Sequence, residues 1–162
     1  MSQQPEVAVL LVSHDGSTWL PAVLDGLLAQ TAPPARVVAV DTGSKDGSAD
    51  LVRAALAGRL SLEQRSLAGD TGFPDAVAEG LLVLAETGTA PDWVWILHDD
   101  ANPAPDALAA LLAAAAARPD ADILGPKLRE WPSLRRLLEL GVTISGTGRR
   151  ETGLEQIGRA HV

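Results

Sequence analysis

At 162 residues the chain has the length of one domain and enough material to bury a core, and its 46% hydrophobic and 21% charged content is ordinary for a globular protein. Thirteen Lys and Arg against 21 Asp and Glu leave a net charge of -8, which excludes a general nucleic-acid binder, because such a protein needs a basic face to displace counterions from phosphate. The absence of cysteine excludes a disulfide framework, a thiolate nucleophile and a zinc–thiolate site.

The first residues, Met1-Ser2-Gln3-Gln4-Pro5-Glu6, lack the basic-then-apolar pattern of a signal peptide. No apolar stretch is long enough to span a bilayer, so a cytoplasmic chain is expected. Val7 to Val12 is an unbroken apolar run, read as a strand, and Ser13-His14-Asp15-Gly16 follows as a loop. Trp19, Leu20, Val23, Leu24, Leu27 and Leu28 recur at helical spacing, with Ser17 or Thr18 as the expected cap. Pro33-Pro34 separates that helix from a second buried strand, Val37 to Val40. Asp41 to Ser48 is rich in turn residues, and Leu51 to Leu56 continues as helix. Leu60 to Arg65 alternates apolar and polar, which suits a strand nearer the sheet edge.

Gly69 to Pro74 is another loop and Ala76 to Leu84 another helix. Trp93 to Leu97 reads as a strand buried on both faces, and it runs directly into His98-Asp99-Asp100 before Asn102-Pro103 breaks the chain. Trp93 and Trp95 share one face by the two-residue period, and covering a helix is their expected work. With few aromatic residues, alanine fills the space: Asp106 to Ala117 is read as a helix. A fifth strand is expected at Ala121 to Leu124, ended by Gly125-Pro126. Leu138 to Ile144 offers one more strand, and 147–162 reads as an unanchored tail. The alternation of strand and helix predicts an α/β domain, a mostly parallel sheet with helices on both faces.

In a parallel sheet all strand C-termini lie at one edge, so the loops carrying Asp15, Asp41 with Asp46, and Asp99 with Asp100 converge. Any one of these acids alone has an ordinary explanation as a helix cap or turn residue. Their repetition at one edge does not. Asp99-Asp100 is the sharpest of the three, since two adjacent carboxylates repel unless neutralised, and a hard divalent cation such as Mg²⁺ or Mn²⁺ does this most simply. His14 and His98 flank these acids and are read first as loop histidines packing against ligand or backbone, with a metal ligand or a general base as the alternative. Arg149-Arg150 is read first as solvated, with a phosphate contact as the alternative. The dinucleotide Gly-x-Gly-x-x-Gly, the phosphate loop of ATPases and the hydrolase Gly-x-Ser-x-Gly are all missing.

The runs Val9 to Gly16, Gln30-Thr31, Val38 to Ser48 with its Asp-x-Gly-Ser-x-Asp-Gly-Ser core, Gly72-Phe73 and His98-Asp99-Asp100 together resemble family 2 glycosyltransferases of the GT-A fold, over about residues 6 to 146. The resemblance implies transfer of a sugar from a nucleotide-diphosphate sugar to an acceptor of the glycan, lipid or polyprenyl-linked class. It places Ser13, His14 and Asp15 beside the nucleobase and has Asp41 accept from a base N–H. It puts Gly72 where the backbone approaches the nucleotide and Asp99 near the ribose, and it gives the divalent cation to Asp100. His14 stands where the family often has a stacking tyrosine, a departure at the base contact. Gly125-Pro126-Lys127-Leu128 and Arg149 to Gly153 resemble a bacterial branch found in larger, membrane-associated chains. The family's acceptor site and catalytic base fall beyond the end of this chain, so 1–146 is expected to be an incomplete donor-binding domain that binds donor and transfers nothing. Ile157 to Val162 resembles one frame of a sequencing adapter and is expected to be artefactual. The alternatives are a nucleotide-sugar binding module without transfer activity and a nucleotidyltransferase. The latter needs a Gly-rich, basic phosphate loop that Ser13-His14-Asp15-Gly16 does not provide.

Overall fold

The computed structural model describes residues 5–86 and 89–140. In chain order the elements are β1 (Val7–Ser13), α1 (Leu20–Leu28), β2 (Arg36–Asp41), α2 (Ser48–Leu56), β3 (Ser61–Ser66), α3 (Phe73–Glu86), β4 (Trp93–His98), α4 (Ala107–Ala117), β5 (Lys127–Arg129) and β6 (Leu137–Leu140). They divide into two compact units, Met1–Leu112 and Ala113–Val162. No helix among the described residues is long and apolar enough to cross a membrane.

The first unit is a four-stranded parallel sheet in the order β3-β2-β1-β4. β1 lies inside it, and every one of its residues is buried. Its continuous apolar run reflects helices on both faces. Val9 and Leu11 face one side, where they meet Leu20, Val23, Leu24 and Leu27 of α1 and Val52 and Leu56 of α2. Ala8, Leu10 and Val12 face the other, against Ala76, Val83 and Leu84 of α3. The helix on that side comes very close: a Cβ at Gly80 would lie 2.1 Å from a Leu10 methyl carbon. Trp95 packs on the α1–α2 side, the helix-covering work expected of it.

After β1 the chain builds β2 and β3 on one side, then returns to place β4 on the other. The order therefore reverses between β1 and β4. In open parallel sheets a crevice forms at such a point, beyond the strand C-termini.

Three expectations are corrected. β4 is not buried on both faces: it is the last strand of this sheet among the described residues, and Ile96 is 46% exposed. The apolar run of a two-sided strand and that of a covered edge strand look alike in sequence. The fifth strand at Ala121 to Leu124 does not form. The Ala121 N–H instead donates to the Arg118 carbonyl, Arg118 pairs with Asp120 at 3.2 Å, and Ile123 is left 90% exposed. That turn uses up the start of the expected strand, and Pro126 supplies no N–H at its end. Finally, Ser17 and Thr18 do not cap α1. The Gly16 carbonyl takes the Trp19 and Leu20 N–H groups in a turn, and Trp19 occupies the cap position without a side-chain bond.

In the second unit β5 and β6 pair antiparallel, and β6 is the described part of the strand expected at Leu138 to Ile144. The rest of that stretch, Arg149-Arg150 and the tail lie outside the described residues.

Candidate functional site

Register fixes what meets at the C-terminal edge of the sheet. Ser13 aligns with Asp41 across β1 and β2, and Val12 aligns with His98 across β1 and β4. The loops after these strands therefore start level with one another.

The first two loops are tied together through their acids. Asp15 takes a left-handed backbone (φ 46°), which a short polar side chain tolerates. Its Oδ1 accepts the Lys45 N–H at 2.7 Å, and its own N–H donates to Ser44 Oγ at 2.9 Å. Asp46 Oδ2 accepts the Ser17 N–H at 2.8 Å, while its Oδ1 accepts the Ser48 hydroxyl and N–H at 2.5 and 3.0 Å. The Ser48 hydroxyl, then the Ser17 N–H, hold the Asp46 carboxyl well below the usual carboxylate range. Asp15 and Asp46 are thus staples between the loops. Capping logic accounts for only half of what Asp46 does.

The depressed Asp46 acidity has a sign. The folded state favours the ionised form, so the staple's contribution is complete above the unfolded aspartate value of about 3.9 and is lost as pH falls below it toward the lower folded value. We expect the Asp46 carboxyl carbon, followed by NMR, still to report a carboxylate at pH 3. Titration near the ordinary aspartate value would refute the double clamp.

Behind these staples Asp41 is buried. Its Oδ2 accepts the Ser44 N–H at 3.0 Å, and its Oδ1 has a long contact of 3.4 Å with the Ser13 hydroxyl. His14 Nδ1 lies 2.8 Å from the Thr42 carbonyl. A carbonyl can only accept, so Nδ1 is the donor in this contact. This bond holds the ring by one edge at the wall of a cleft of roughly 250 Å³, lined by Val12, Thr42, Gly69 to Thr71, Phe73 and His98 besides His14 itself. Gly72 sits beside that lining, at the start of α3, where its carbonyl accepts the Ala76 N–H. Gly43 (φ 72°) lets the second loop pass the third, since a Cβ there would lie 2.7 Å from the Gly69 nitrogen.

The acidic loop closes the other side. Asp99 is only 4% exposed; its Oδ2 accepts the His14 N–H at 2.8 Å and its Oδ1 lies 2.8 Å from His98 Nδ1. Asp100 is exposed, with Oδ1 3.0 Å from the same nitrogen. His98, Asp99 and Asp100 form the one group of three potential ligand side chains gathered in this way among the described residues. The His98 ring also meets Phe73, centroid to centroid at 5.6 Å, so one imidazole borders both the cleft and the acids.

Of the residues singled out from sequence, His14, Asp99 and Asp100 come together directly with His98. Ser13 and Asp41 stand behind the cleft wall, and Asp15 lies in the stapled loop pair. Three further residues shape the site without any role that sequence reasoning assigns them. Thr42 and Phe73 line the cleft, and nothing in a loop composition marks them out. Buried Gln30 donates through Nε2 to the Gly26 and Ala104 carbonyls at 2.8 and 2.7 Å and accepts the Leu108 N–H at 2.9 Å. It thereby anchors the chain leaving the acidic loop against α1. A polar residue just past the end of an apolar helix is the physical signal it leaves in the sequence.

The profile of the family described as "Glycosyl transferase family 2" matches residues 8–152. Among solved structures, the chain is similar to the mannosyltransferase PcManGT from Pyrobaculum calidifontis in complex with GDP-Man and Mn²⁺, at 26% identity and a TM-score of 0.58, over 71% of this chain and 33% of that one. It is also similar to S. aureus TarS 1–349 in complex with UDP, at 20% identity and a TM-score of 0.55, over 71% and 32% of the two chains, a likeness of fold alone. The chain spans about a third of the length of these structures. No curated protein sequence matches it significantly.

Proposed function

This chain belongs to glycosyl transferase family 2, and from that premise we propose that the crevice between β1 and β4 binds a nucleotide-diphosphate sugar together with Mg²⁺ or Mn²⁺, for transfer of the sugar to a hydroxyl acceptor. The observation that carries this reading is the junction at His98: one imidazole borders the cleft through Phe73 and touches both carboxylates of the acidic loop. PcManGT, at 26% identity, was solved with GDP-Man and Mn²⁺, which supports a donor of this class and a divalent cation.

A volume of roughly 250 Å³ is below the 300–1,000 Å³ typical of a pocket for a whole ligand. It suits a nucleobase and part of a ribose, with the diphosphate continuing over the acidic loop. His14, held by its edge, offers a ring face to the base. Ser13 and Asp15 border the base from behind by fixing the loop that carries His14. Among the described residues the cleft lining contains no lysine or arginine to bring positive charge to the diphosphate. When bound, the cation supplies that charge and stabilises the departing nucleoside diphosphate as a Lewis acid.

Asp100 projects into solvent and is free to turn toward the cation and the diphosphate. Asp99 is held on one oxygen by the His14 N–H, which fixes this residue at the start of the acidic loop, beside the proposed ribose position. Gly72 leaves the entrance beside Phe73 free of a side chain. Asp41 Oδ1, with only a long contact to Ser13, has lone-pair capacity for a base N–H. A hydrogen bond to a charged group is worth about 1.5–3 kcal/mol, so Asp41→Ala is expected to weaken nucleotide binding roughly tenfold or more while leaving cation binding intact. Loss of Mn²⁺ binding in the absence of nucleotide would reverse that assignment.

The reading as a whole is tested by thermal unfolding with uridine, guanosine and thymidine diphosphate sugars, each with Mn²⁺ and with a chelator. A specific rise in midpoint with one base, present only with metal, is the expected result. No donor raising the midpoint under either condition would remove the proposal.

A further inference from the structure

We infer that His98 is itself a ligand of the cation, through Nδ1, and that this nitrogen makes the site prefer Mn²⁺ to Mg²⁺. The inference rests on the proposed function above and adds to it which atoms hold the metal and which metal they favour. His98 Nδ1 lies 2.8 Å from Asp99 Oδ1 and 3.0 Å from Asp100 Oδ1. Neighbouring corners of an octahedron with bonds of about 2.1 Å are about 3.0 Å apart, so Nδ1 stands from each carboxylate oxygen as one ligand stands from the next, and the ligand atoms of the three residues lie within 4.8 Å of one another. The Asp100 side chain is exposed, so diphosphate oxygens and water have access to a cation held there.

The geometry around the set keeps it in place. Asp99 is buried with its second oxygen held by the His14 N–H, which aims Oδ1 at His98. Gly16 packs so tightly on Asp99 that any Cβ there would lie 2.3 Å from Oδ2. Phe73 flanks the His98 ring at 5.6 Å and restricts how it can turn. Oxygen-only sets accept Mg²⁺, Ca²⁺ and Mn²⁺ alike. Imidazole nitrogen binds Mg²⁺ poorly and transition metals well. A set of two carboxylates and one imidazole therefore discriminates between cations that two carboxylates alone do not separate.

A His98 that only hydrogen-bonds the two acids would show the same distances, and spectroscopy separates the two cases. Electron spin echo measurements on Mn²⁺ bound to the protein with uridine or guanosine diphosphate should show the modulation of a directly coordinated ¹⁴N. His98→Asp should abolish it. In calorimetry with each metal in turn, the same variant should shift the Mn²⁺-to-Mg²⁺ affinity ratio toward Mg²⁺ by at least the roughly tenfold that loss of even an outer-shell partner costs a metal site. The wild-type spectrum needs no variant, so a folding defect cannot obscure the answer. Mn²⁺ bound in an Asp100-dependent way without nitrogen coupling overturns this inference and leaves the proposed function standing. Coupling that survives His98→Asp overturns it too, since another histidine would then be the ligand. If Asp100→Ala leaves Mn²⁺ binding unchanged, both the inference and the metal part of the proposed function fall.

Discussion

Asp100→Ala is expected to bring nucleoside diphosphate affinity in the presence of Mn²⁺ down to the level that the unaltered protein shows with a chelator. Asp100 is exposed and its carboxylate contacts the neighbouring His98 rather than any distant element, so removing it should leave the fold intact. What is lost is one of the two carboxylates of the acidic loop, at the mouth of a cleft with no lysine or arginine among its described lining residues. Outer-shell changes at metal sites cost roughly 10- to 100-fold in affinity, and loss of a ligand should reach about 100-fold. The comparison to make is calorimetric, variant against parent, with metal and with chelator. A variant whose binding still responds to Mn²⁺ as the parent does would show that the diphosphate is met elsewhere.

Gly16→Ala is expected to damage the same site from the opposite side. The new Cβ would meet Asp99 at 2.3 Å from Oδ2 and 2.8 Å from its Cβ, so rotating the carboxylate does not relieve the clash. Either the loop after β1 or the start of the acidic loop must move, and the bond from the His14 N–H to Asp99 goes with it. Overpacking of this kind costs about 1–3 kcal/mol of stability. The charge-assisted hydrogen bond adds about 1.5–3 kcal/mol. Denaturant unfolding should show the stability loss, and nucleotide binding should weaken even under conditions where the variant is fully folded. Unchanged stability with unchanged binding would mean that the loops part more easily than their packing indicates.

Much of this arrangement is written in the chain. The apolar runs of β1 and β2, the helical periodicity of α1 and the alternation of β3 each carry one dominant signal, and each element forms where that signal lies. Convergence of the three acid-bearing loops follows from parallel topology alone. The different uses of those acids do not. Asp15 and Asp46 turn inward as staples because particular backbone N–H groups of neighbouring loops lie within reach, and that is a property of register rather than of composition. The one-sided burial of β4 is not legible, because an edge strand packed on one side by tryptophan has the same sequence as a covered one. The missing fifth strand reflects a local contest: a turn closed by Arg118 and Ala121 forms without any partner, whereas a strand at Ala121 to Leu124 needs one. Gln30 shows in the sequence only as a polar residue past the end of an apolar helix, with its partners unspecified, and Gly16 owes its importance to the Asp99 side chain opposite it, which no spacing along the chain reveals.

A crystal structure of this protein with Mn²⁺ and uridine or guanosine diphosphate would test the central claim most directly. The account predicts the base in the cleft between His14, Thr42 and Phe73, and the diphosphate running toward the acidic loop with the cation held at Asp100. A nucleotide bound away from the crevice between β1 and β4, or a cation on other carboxylates with Asp100 free, would contradict it.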